Sequence, residues 1–454
     1  MKKRLVFLSL ILVALLSGCF FRSADDLYTI PQPPRDYKAL QVNLSDVITS
    51  GGEYAAPLSG ELIQSVQLQD LDGDGVQEAI AFFRFPSDEK PMKIYIFRQT
   101  GNGYDTAAII ELAGTAINCV DYVQMDDDTC KEIVVSWQMY DKLHTLAVFS
   151  LGLGKDQVEE LMRTDYESYK LCDLDQDNQQ ELVVFRTPVG GKPQAEFYDY
   201  QDVLTKTGAA ALSNGITSVA DGGVRAGYLM DWVPALFAVS SYGENGTITD
   251  VFLCRNGRLV NVTLEEESGE SRETIRFYTA IGGADINNDG IMELPQPVPL
   301  MDYRINTASV NFWLIRWRQF DAQGKPHPIF TTYHNERDGW YFILPDFLGE
   351  SLTLTRTDLP GGGERGVTFS YWAGDENVAP KPFLTIYKLA GTNRVSRASL
   401  PDRFVLFPEE GLEGADEANT IYAAQLLSSW DSGLTEDEVR QRFAITKTDW
   451  LSGY

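Results

Sequence analysis

The sequence predicts a mainly β fold: a β-propeller of about five recognisable four-stranded blades, with six or seven possible, followed by a small α+β domain. Three observations lead to this prediction. The chain of 454 residues is 44% hydrophobic and contains 38 glycines and 20 prolines, a composition that suits a packed, turn-rich core. An acidic segment recurs along the chain, and short runs of β-forming residues flank each copy. Successive copies lie about 50 residues apart, the length of four short strands with their turns.

The chain begins with a segment typical of a signal peptide. Residues 1–4 carry three basic side chains, residues 5–16 are apolar except for Ser9, and Leu16-Ser17-Gly18-Cys19 follows at once. The apolar run covers about 18 Å as a helix, too short for a hydrocarbon core of about 30 Å. Small residues before a cysteine resemble a bacterial lipobox, and this resemblance implies removal of residues 1–18 and acylation of Cys19. A plain secretory signal with an unrelated cysteine is the alternative.

An acylated Cys19 would anchor the mature protein to the cell membrane, with the chain on the extracytoplasmic side. Residues 19–36, which contain three prolines, form the predicted tether. The alternation of apolar residues from Leu40 to Val47 then predicts a short strand that closes the ring. The remaining cysteines are irregularly spaced, so we expect free, buried thiols, with disulfides as the alternative in an exported protein. These cysteines are Cys119, Cys130, Cys172 and Cys254.

The acidic segment occurs in four recognisable loops with oxygen-bearing side chains at positions 1, 3 and 5 and glutamate at position 9. We name them the first, second, third and fifth loops: residues 70–78 (DLDGDGVQE), 124–132 (QMDDDTCKE), 173–181 (DLDQDNQQE) and 285–293 (DINNDGIME). A degenerate fourth copy at residues 228–239 has Ala235 in place of the glutamate. The repeat unit is therefore predicted to be strand, acidic loop, strand. In the fifth unit we expect a strand at residues 279–281 and a proline-rich departure after the loop.

Several carboxylates on one tight turn repel one another, so such a loop favours a bound cation. Oxygen donors in a flexible turn suit Ca²⁺, which takes about six to eight oxygen ligands. Position 7 would add a backbone carbonyl, and glycine at position 6 permits the sharp turn. Acidic turns without an ion are the alternative, and a bound Ca²⁺ would stiffen the fold without implying catalysis.

The loops differ in how completely they supply these ligands. In the first loop the predicted ligands are Asp70, Asp72, Asp74, the carbonyl of Val76, and Glu78. In the third and fifth loops they are Asp173, Asp175, Asp177 and Glu181, and Asp285, Asn287, Asp289 and Glu293. The second loop is a weaker candidate, because it has glutamine at position 1 and threonine at position 6; its ligands would be Asp126, Asp128 and Glu132. No metal is expected in the fourth copy.

These loops resemble the FG-GAP or VCBS-type repeats of bacterial surface proteins. The resemblance covers roughly residues 60–335 and implies an integrin-α-like β-propeller with Ca²⁺ loops between adjacent strands. It differs from an EF-hand, whose bidentate glutamate comes later in a loop between helices. We therefore predict the propeller over residues 37–335. Ring closure would remove exposed faces and edges, and a solenoid of stacked units is the alternative.

Residues 327–334 and 339–345 are predicted to lead out of the propeller, and residues 336–454 to form an α+β domain. Residues 434–439 (LTEDEV) are typical of a capping box with a hydrophobic staple, which predicts a short helix to Phe443. One or two irregular blades are the alternative for this region, whose β-type runs are residues 352–356, 367–372, 383–389, 403–407 and 421–427. Aromatic residues here suit buried strand faces, or alternatively a sugar-binding shelf: Trp313, Trp317, Trp340, Tyr341, Phe342, Phe347, Tyr371 and Trp372.

Composition and motifs exclude several function classes. With 65 acidic and 38 basic residues, the net charge of −27 argues against nucleic-acid binding. The histidines at 144, 327 and 334 share no catalytic motif, and neither a phosphate-binding glycine loop nor a nucleophile elbow is present. We therefore predict a non-enzymatic, membrane-anchored binding or scaffold lipoprotein that recognises a glycan or protein of the cell envelope or environment, with no ligand-binding residues assigned. A propeller-borne lyase or hydrolase acting on an extracellular polysaccharide is the alternative.

Overall fold

The computed structural model describes residues 35–101, 103–140, 143–151, 158–188, 190–300, 303, 312–349, 351–359, 363–408 and 419–446. The predicted signal peptide, Cys19 and nearly all of the predicted tether therefore lie outside the described residues. In the part of the chain that is described, no helix combines the length and the apolar composition needed to cross a membrane.

The described chain is mainly β, as predicted, and its strands form six sheets. In the first sheet, β1 and β2 lie end to end along one edge of β3, and β4 and β5 follow on its other side. The second sheet has the order β6-β7-β8-β9. The strands are β1 (Glu53–Tyr54), β2 (Val66–Gln69), β3 (Glu78–Arg84), β4 (Met92–Thr100), β5 (Gly103–Leu112), β6 (Ala116–Val123), β7 (Glu132–Tyr140), β8 (Leu143–Ser150) and β9 (Glu159–Tyr166).

The third and fourth sheets are four-stranded antiparallel meanders in which neighbouring strands are also neighbours in sequence. Their strands are β10 (Ser168–Cys172), β11 (Glu181–Arg186), β12 (Gln194–Tyr200), β13 (Leu204–Ala211), β14 (Ile216–Leu229), β15 (Val233–Tyr242), β16 (Gly246–Cys254) and β17 (Leu259–Asn261). Single 3₁₀ turns span Met230–Trp232 and Arg272–Thr274.

The fifth and sixth sheets each have five strands, in the orders β18-β19-β20-β21-β27 and β22-β23-β24-β26-β25. Their strands are β18 (Leu294–Pro299), β19 (Trp313–Phe320), β20 (Pro326–Asn335), β21 (Trp340–Ile343), β22 (Leu352–Asp358), β23 (Glu364–Tyr371), β24 (Lys381–Ala390), β25 (Arg403–Phe407), β26 (Thr420–Leu426) and β27 (Phe443–Ile445). A 3₁₀ turn spans Asp346–Leu348, and the helices are α1 (Arg35–Thr49), α2 (Arg394–Ala398) and α3 (Glu436–Arg442).

The chain divides into two compact units. One contains residues up to 122 together with 129–163, and the other contains residues 123–128 together with 164 onward. The first and second sheets belong essentially to the former unit and the other four sheets to the latter. The region predicted as a propeller, residues 37–335, therefore contributes to both units.

The predicted repeat of strand, acidic loop, strand is confirmed in three units. The first, second and third loops connect β2 to β3, β6 to β7 and β10 to β11. The fifth unit differs, because residues 279–281 do not form the expected strand. An isolated bridge between Ala284 and Glu293 closes the base of the fifth loop instead.

The proline-rich segment after the fifth loop is also a strand, which corrects the expected departure from the pattern. In β18 the prolines occupy alternate positions, 295, 297 and 299, while Leu300 just beyond them donates its N–H to Phe312 O at 2.9 Å. Backbone N–H groups alternate in direction along a strand, so the missing donors all belong to the free edge of β18. Three prolines are tolerated because β18 is an edge strand.

Residues 35–49 form helix α1, so the strand predicted from Leu40 to Val47 is wrong. Leu40, Val42 and Leu44 alternate as in a strand, but Leu40, Leu44 and Val47 also follow a helical spacing. Packing decides between the two, since Leu40 is 4% exposed whereas Val42 is 59% exposed. The helix places Leu40 and Val47 in an apolar cluster with β3 and β4, including Phe83 and Phe97.

Apolar side chains join the sheets face to face. One cluster combines residues of the first and second sheets, including Ile94 and Trp137. In the other unit, successive clusters join the third sheet to the fourth, the fourth to the fifth, and the fifth to the sixth. Each sheet thus buries at least one face against its neighbour in sequence, where burial of apolar area contributes about 25 cal/mol per Å².

The C-terminal part contains the predicted strands and the predicted helix. The capping box is confirmed: Glu438 N–H donates to Thr435 Oγ1 at 3.3 Å, and Thr435 N–H donates to Glu438 Oε2 at 2.8 Å. The helix ends at Arg442, one residue before the expected Phe443, which begins β27. Strand β27 joins the fifth sheet beside β21, so strands from both sides of residue 336 share one sheet.

Most of the aromatic residues near residue 336 are buried, as we favoured from the sequence. Trp317, Trp340 and Phe342 are fully buried, and the ring of Tyr371 stacks on Trp430 with centroids 4.5 Å apart. Of the eight aromatics singled out, Phe347 alone is exposed, at 59%. No disulfide joins the four described cysteines; Cys130 and Cys172 are buried, whereas Cys119 and Cys254 are partly exposed.

Candidate functional site

The first, third and fifth loops share one backbone turn. In each, the residues at positions 4 and 6 have positive φ, a conformation that glycine and asparagine tolerate best. The φ values are 69° and 86° at Gly73 and Gly75, 66° and 71° at Gln176 and Asn178, and 60° and 84° at Asn288 and Gly290. At position 6 of the third loop, Asn178 takes the place that glycine has in the first and fifth loops.

The same three loops share a hydrogen bond to the terminal glutamate. The backbone N–H of the position 2 residue donates to Oε2 of Glu78, Glu181 or Glu293, at 2.9, 2.7 and 2.9 Å. All three glutamates are buried. Each therefore has one oxygen fixed by the backbone and a second that needs another partner.

The aspartates at positions 1 and 5 are also fixed by the backbone. The N–H of residue 6 donates to Oδ2 of the first aspartate at 3.1, 3.0 and 2.9 Å in the three loops. The N–H of residue 7 donates to Oδ1 of the fifth residue at 2.7, 2.8 and 2.9 Å. Backbone hydrogen bonds of the turn thus hold the side chains at positions 1 and 5 in place.

The third loop brings four carboxylates together. Ligand oxygens from Asp173, Asp175, Asp177 and Glu181 all lie within 4.8 Å of one another. Burial raises the pKa of Glu181 to about 8; repulsion from the three aspartates adds to the rise, and the Leu174 N–H opposes it. The buried Oε1 of Glu181 accepts no hydrogen bond from the described residues. This arrangement can hold a divalent cation, which would satisfy that oxygen and relieve the repulsion.

The first loop forms a smaller cluster, with ligand oxygens of Asp70, Asp72 and Glu78 within 4.8 Å of one another. Asp74 is not part of this group. The guanidinium of Arg98 lies beside the cluster, with Nη2 3.3 Å from Asp72 Oδ2 and Nε 3.9 Å from Glu78 Oε1. Burial raises the pKa of Glu78 and the nearby aspartates add to the rise, against the Leu71 N–H and Arg98.

In the fifth loop, the side-chain amide of Gln319 lies where the guanidinium of Arg98 lies in the first loop. Gln319 Nε2 donates to Asp289 Oδ2 at 2.7 Å and to Glu293 Oε1 at 2.6 Å. Burial raises the pKa of Glu293 to about 7, although the hydrogen bonds from Gln319 and the Ile286 N–H lower it. Among the described residues, Asp285, Asp289 and Glu293 do not converge into a group as tight as that of the third loop.

The second loop has a different local structure. Its position 4 and position 6 residues, Asp127 and Thr129, lack the positive φ of the other loops. Gln124 Nε2 donates to the carbonyl oxygens of both Asp126 and Asp128, so an amide donor faces the inside of this turn. Glu132 begins β7 with a buried side chain. These features distinguish the second loop from the first, third and fifth.

The fourth copy is a tight turn without a cluster of acids. A 3₁₀ turn at Met230–Trp232 joins β14 to β15, and Ala235 is buried where the other copies have glutamate. Trp232 packs against the fifth loop: a Cβ added at Gly290 would lie 2.5 Å from its ring. Glycine is therefore required at residue 290 both for its φ and for the space that Trp232 takes.

Arg98 and Gln319 are two residues beside the loops that sequence reasoning missed. Both lie on the strand that pairs with the one after the loop, outside the acidic motif itself. They can be identified from the register of the hairpin, because each is the residue opposite the terminal glutamate on the neighbouring strand.

The two described histidines of β20 occupy different environments. His327 Nε2 lies 2.8 Å from Asp321 Oδ2. His334 is buried, stacks on Tyr341 with ring centroids 5.2 Å apart, and makes no hydrogen bond to the described residues through either ring nitrogen.

His334 predicts a loss of stability in mild acid. Burial lowers its pKa from 6.5 to about 3, so the unfolded chain takes up a proton below about pH 6.5 that the folded chain excludes. From neutral pH to about pH 5 this costs about 2 kcal/mol of unfolding free energy. His334→Phe is expected to abolish this loss, measured by urea unfolding. The carboxylates titrate alike in both proteins, so a constant difference across this pH range would contradict the prediction.

Comparisons with known proteins assign no family. No family model and no curated protein matches the chain. One similar solved structure is a hypothetical selenium-binding protein from Sulfolobus tokodaii, with 12% identity over 70% of this chain and 73% of that chain, at a TM-score of 0.28. Another is Sqt1 from Chaetomium thermophilum, with 8% identity over 82% and 97% of the two chains, at a TM-score of 0.31. Such distant likenesses carry no argument about this chain.

Proposed function

We propose that the protein is a Ca²⁺-stabilised binding or scaffold lipoprotein, anchored through Cys19 on the extracytoplasmic side of a cell membrane. Its ligand would be a glycan or a protein of the cell envelope or environment. The third loop carries the proposal, because four carboxylates converge there and the buried Oε1 of one of them, Glu181, accepts no hydrogen bond from the described residues. Hard oxygen ligands from a flexible loop favour Ca²⁺, which tolerates irregular coordination, over Mg²⁺, which demands an octahedron.

The repeated sheets support a propeller as the architecture of residues 37–335. Each predicted unit is one antiparallel sheet, and apolar clusters join successive sheets within each compact unit. Blades of a propeller are packed in this way. Cations in the loops between strands would hold the ends of the blades, and the α+β region from residue 336 would complete the fold.

The lipid anchor predicts a specific acylation. In a bacterial host given labelled palmitate, the full-length protein is expected to incorporate the label, and Cys19→Ser is expected to lose it completely. Cys119→Ser, which removes a cysteine outside the proposed signal, serves as the control and should be labelled like the wild type. Equal labelling of the Cys19→Ser protein would contradict the anchor.

The ligand can be sought with residues 20–454, the mature chain without its acylated Cys19 and referred to below as the mature chain, which contains every described residue. We expect this chain to bind members of a glycan array or a cell-envelope extract more strongly with Ca²⁺ than with EDTA. Equal binding in both conditions would show that ligand recognition does not depend on Ca²⁺ in the loops.

A further inference from the structure

The residue facing each terminal glutamate differs from sheet to sheet. The registers pair Ala79 with Phe97, Leu182 with Tyr198, and Leu294 with Arg318. One step further along each antiparallel ladder brings Arg98 opposite Glu78, Asp199 opposite Glu181, and Gln319 opposite Glu293. Contacts agree with this in two sheets, since Arg98 lies 3.9 Å from Glu78 and Gln319 lies 2.6 Å from Glu293.

Arg98 and Gln319 reach the same carboxylates that a cation would bridge. Arg98 contacts the acids at positions 3 and 9 of the first loop, and Gln319 contacts those at positions 5 and 9 of the fifth. The guanidinium brings a full positive charge into the first loop, and the amide brings two neutral donors into the fifth. Both groups therefore reduce the favourable electrostatic energy that a metal ion would gain by binding to these carboxylates.

The third loop has a negative residue in this position. The register of β11 and β12 places Asp199 opposite Glu181, so a carboxylate stands where the first loop has a guanidinium and the fifth an amide. Glu181 is 1% exposed, and its Oε1 has no hydrogen-bond donor among the described residues. The third loop therefore contains more uncompensated negative charge than the first or the fifth.

We propose that the residue facing the terminal glutamate sets the cation affinity of each loop. Arg98 acts as the built-in counter-ion of the first loop, Gln319 as a neutral substitute in the fifth, and Asp199 as an added carboxylate that makes the third loop the tightest Ca²⁺ site. This inference rests on the proposed function of the loops as Ca²⁺ sites and assigns them different occupancies.

Exchange of the facing residues tests this by titration calorimetry of the mature chain with Ca²⁺. The third loop is isolated in a Glu78→Gln, Glu293→Gln background. There, Asp199→Asn should weaken Ca²⁺ binding about tenfold and Asp199→Arg about a hundredfold or more, because a charge is removed or reversed beside the ion. Asp202→Asn removes the same charge at an exposed position, and it should leave the Ca²⁺ affinity unchanged.

The first loop is isolated in a Glu181→Gln, Glu293→Gln background. There, Arg98→Gln should tighten Ca²⁺ binding about tenfold, because the competing charge is removed. Arg84→Gln, an exposed change on β3, is the control and should have no effect. Circular dichroism tests whether each variant is folded. If Asp199→Arg does not fold, the neutral variants Asp199→Asn and Arg98→Gln decide the outcome.

Two failures can be told apart. If the wild type binds Ca²⁺ but Asp199→Asn and Arg98→Gln leave the affinities of their loops unchanged, this inference is overturned and the proposed function stands. If the wild type binds no Ca²⁺ at all, the calcium part of the proposed function fails, and this inference fails with it.

Discussion

Removal of Ca²⁺ with EDTA is expected to lower the melting temperature of the mature chain by about 5 to 10 °C relative to millimolar Ca²⁺. An ion at about one hundred times its dissociation constant adds about 2.7 kcal/mol per site to the folded state. For a unit of this size each kcal/mol corresponds to about 2 to 4 °C. Differential scanning calorimetry measures the shift directly.

Glu181→Gln should cancel most of this shift. The variant keeps an oxygen for the Leu174 N–H but removes the charge that a cation needs. In EDTA it should be at least as stable as the wild type, because it no longer places a buried charge beside three aspartates. The matched control is Glu266→Gln, an exposed site, which should respond to Ca²⁺ like the wild type. A wild type insensitive to EDTA, or a Glu181→Gln variant destabilised equally in both conditions, would contradict a structural cation.

Asp250→Ala is expected to lower the free energy of unfolding by about 3 to 5 kcal/mol. Asp250 is fully buried in β16, and its carboxylate accepts four hydrogen bonds. The donors are Ser213 N–H at 2.9 Å, Ser213 Oγ at 2.7 Å, Asn261 Nδ2 at 2.8 Å and Ser271 Oγ at 2.6 Å. Alanine would remove the acceptor that these donors share and would leave the buried Ser213 N–H without its partner, in a site that joins Ser213, Asn261 and Ser271 to β16.

Asp250→Asn removes the negative charge of Asp250 while it keeps the size and shape of the side chain. The amide fills the same volume but presents an NH₂ group to donors, so an intermediate loss of about 1 to 3 kcal/mol is expected. Asp221→Ala, an exposed position in β14, is the control and should change stability by less than about 0.5 kcal/mol. Chemical denaturation followed by fluorescence gives these values. If Asp250→Ala costs no more than the control, the network does not hold the sheet together.

The strand-loop-strand repeat was predictable because its cues are local: an acidic motif with β-forming runs on either side. Helix α1 was not, because the apolar residues from Leu40 to Val47 fit both a strand and a helix. The contacts that decide between them come from Phe83 and Phe97 on strands further along the chain. Strand β18 was missed for a similar reason, since its prolines are tolerated by its position at the edge of a sheet.

The candidate site was also only partly predictable from the sequence. The acidic residues of the loops follow from the motif, and their backbone turn follows from glycine or asparagine at position 6. The facing residues Arg98, Asp199 and Gln319 do not, because they become neighbours of the loop only through the register of a hairpin. The motif alone made the first loop the most complete site, whereas the facing residues favour the third.

The most direct test of the central claim is the number of Ca²⁺ ions bound by the mature chain and by its Glu181→Gln variant, measured by equilibrium dialysis. The wild type should bind at least one ion tightly, and Glu181→Gln should lose the tightest one while Glu266→Gln keeps it. An equal number of ions bound with equal affinity by the wild type and Glu181→Gln would show that the third loop is not a cation site.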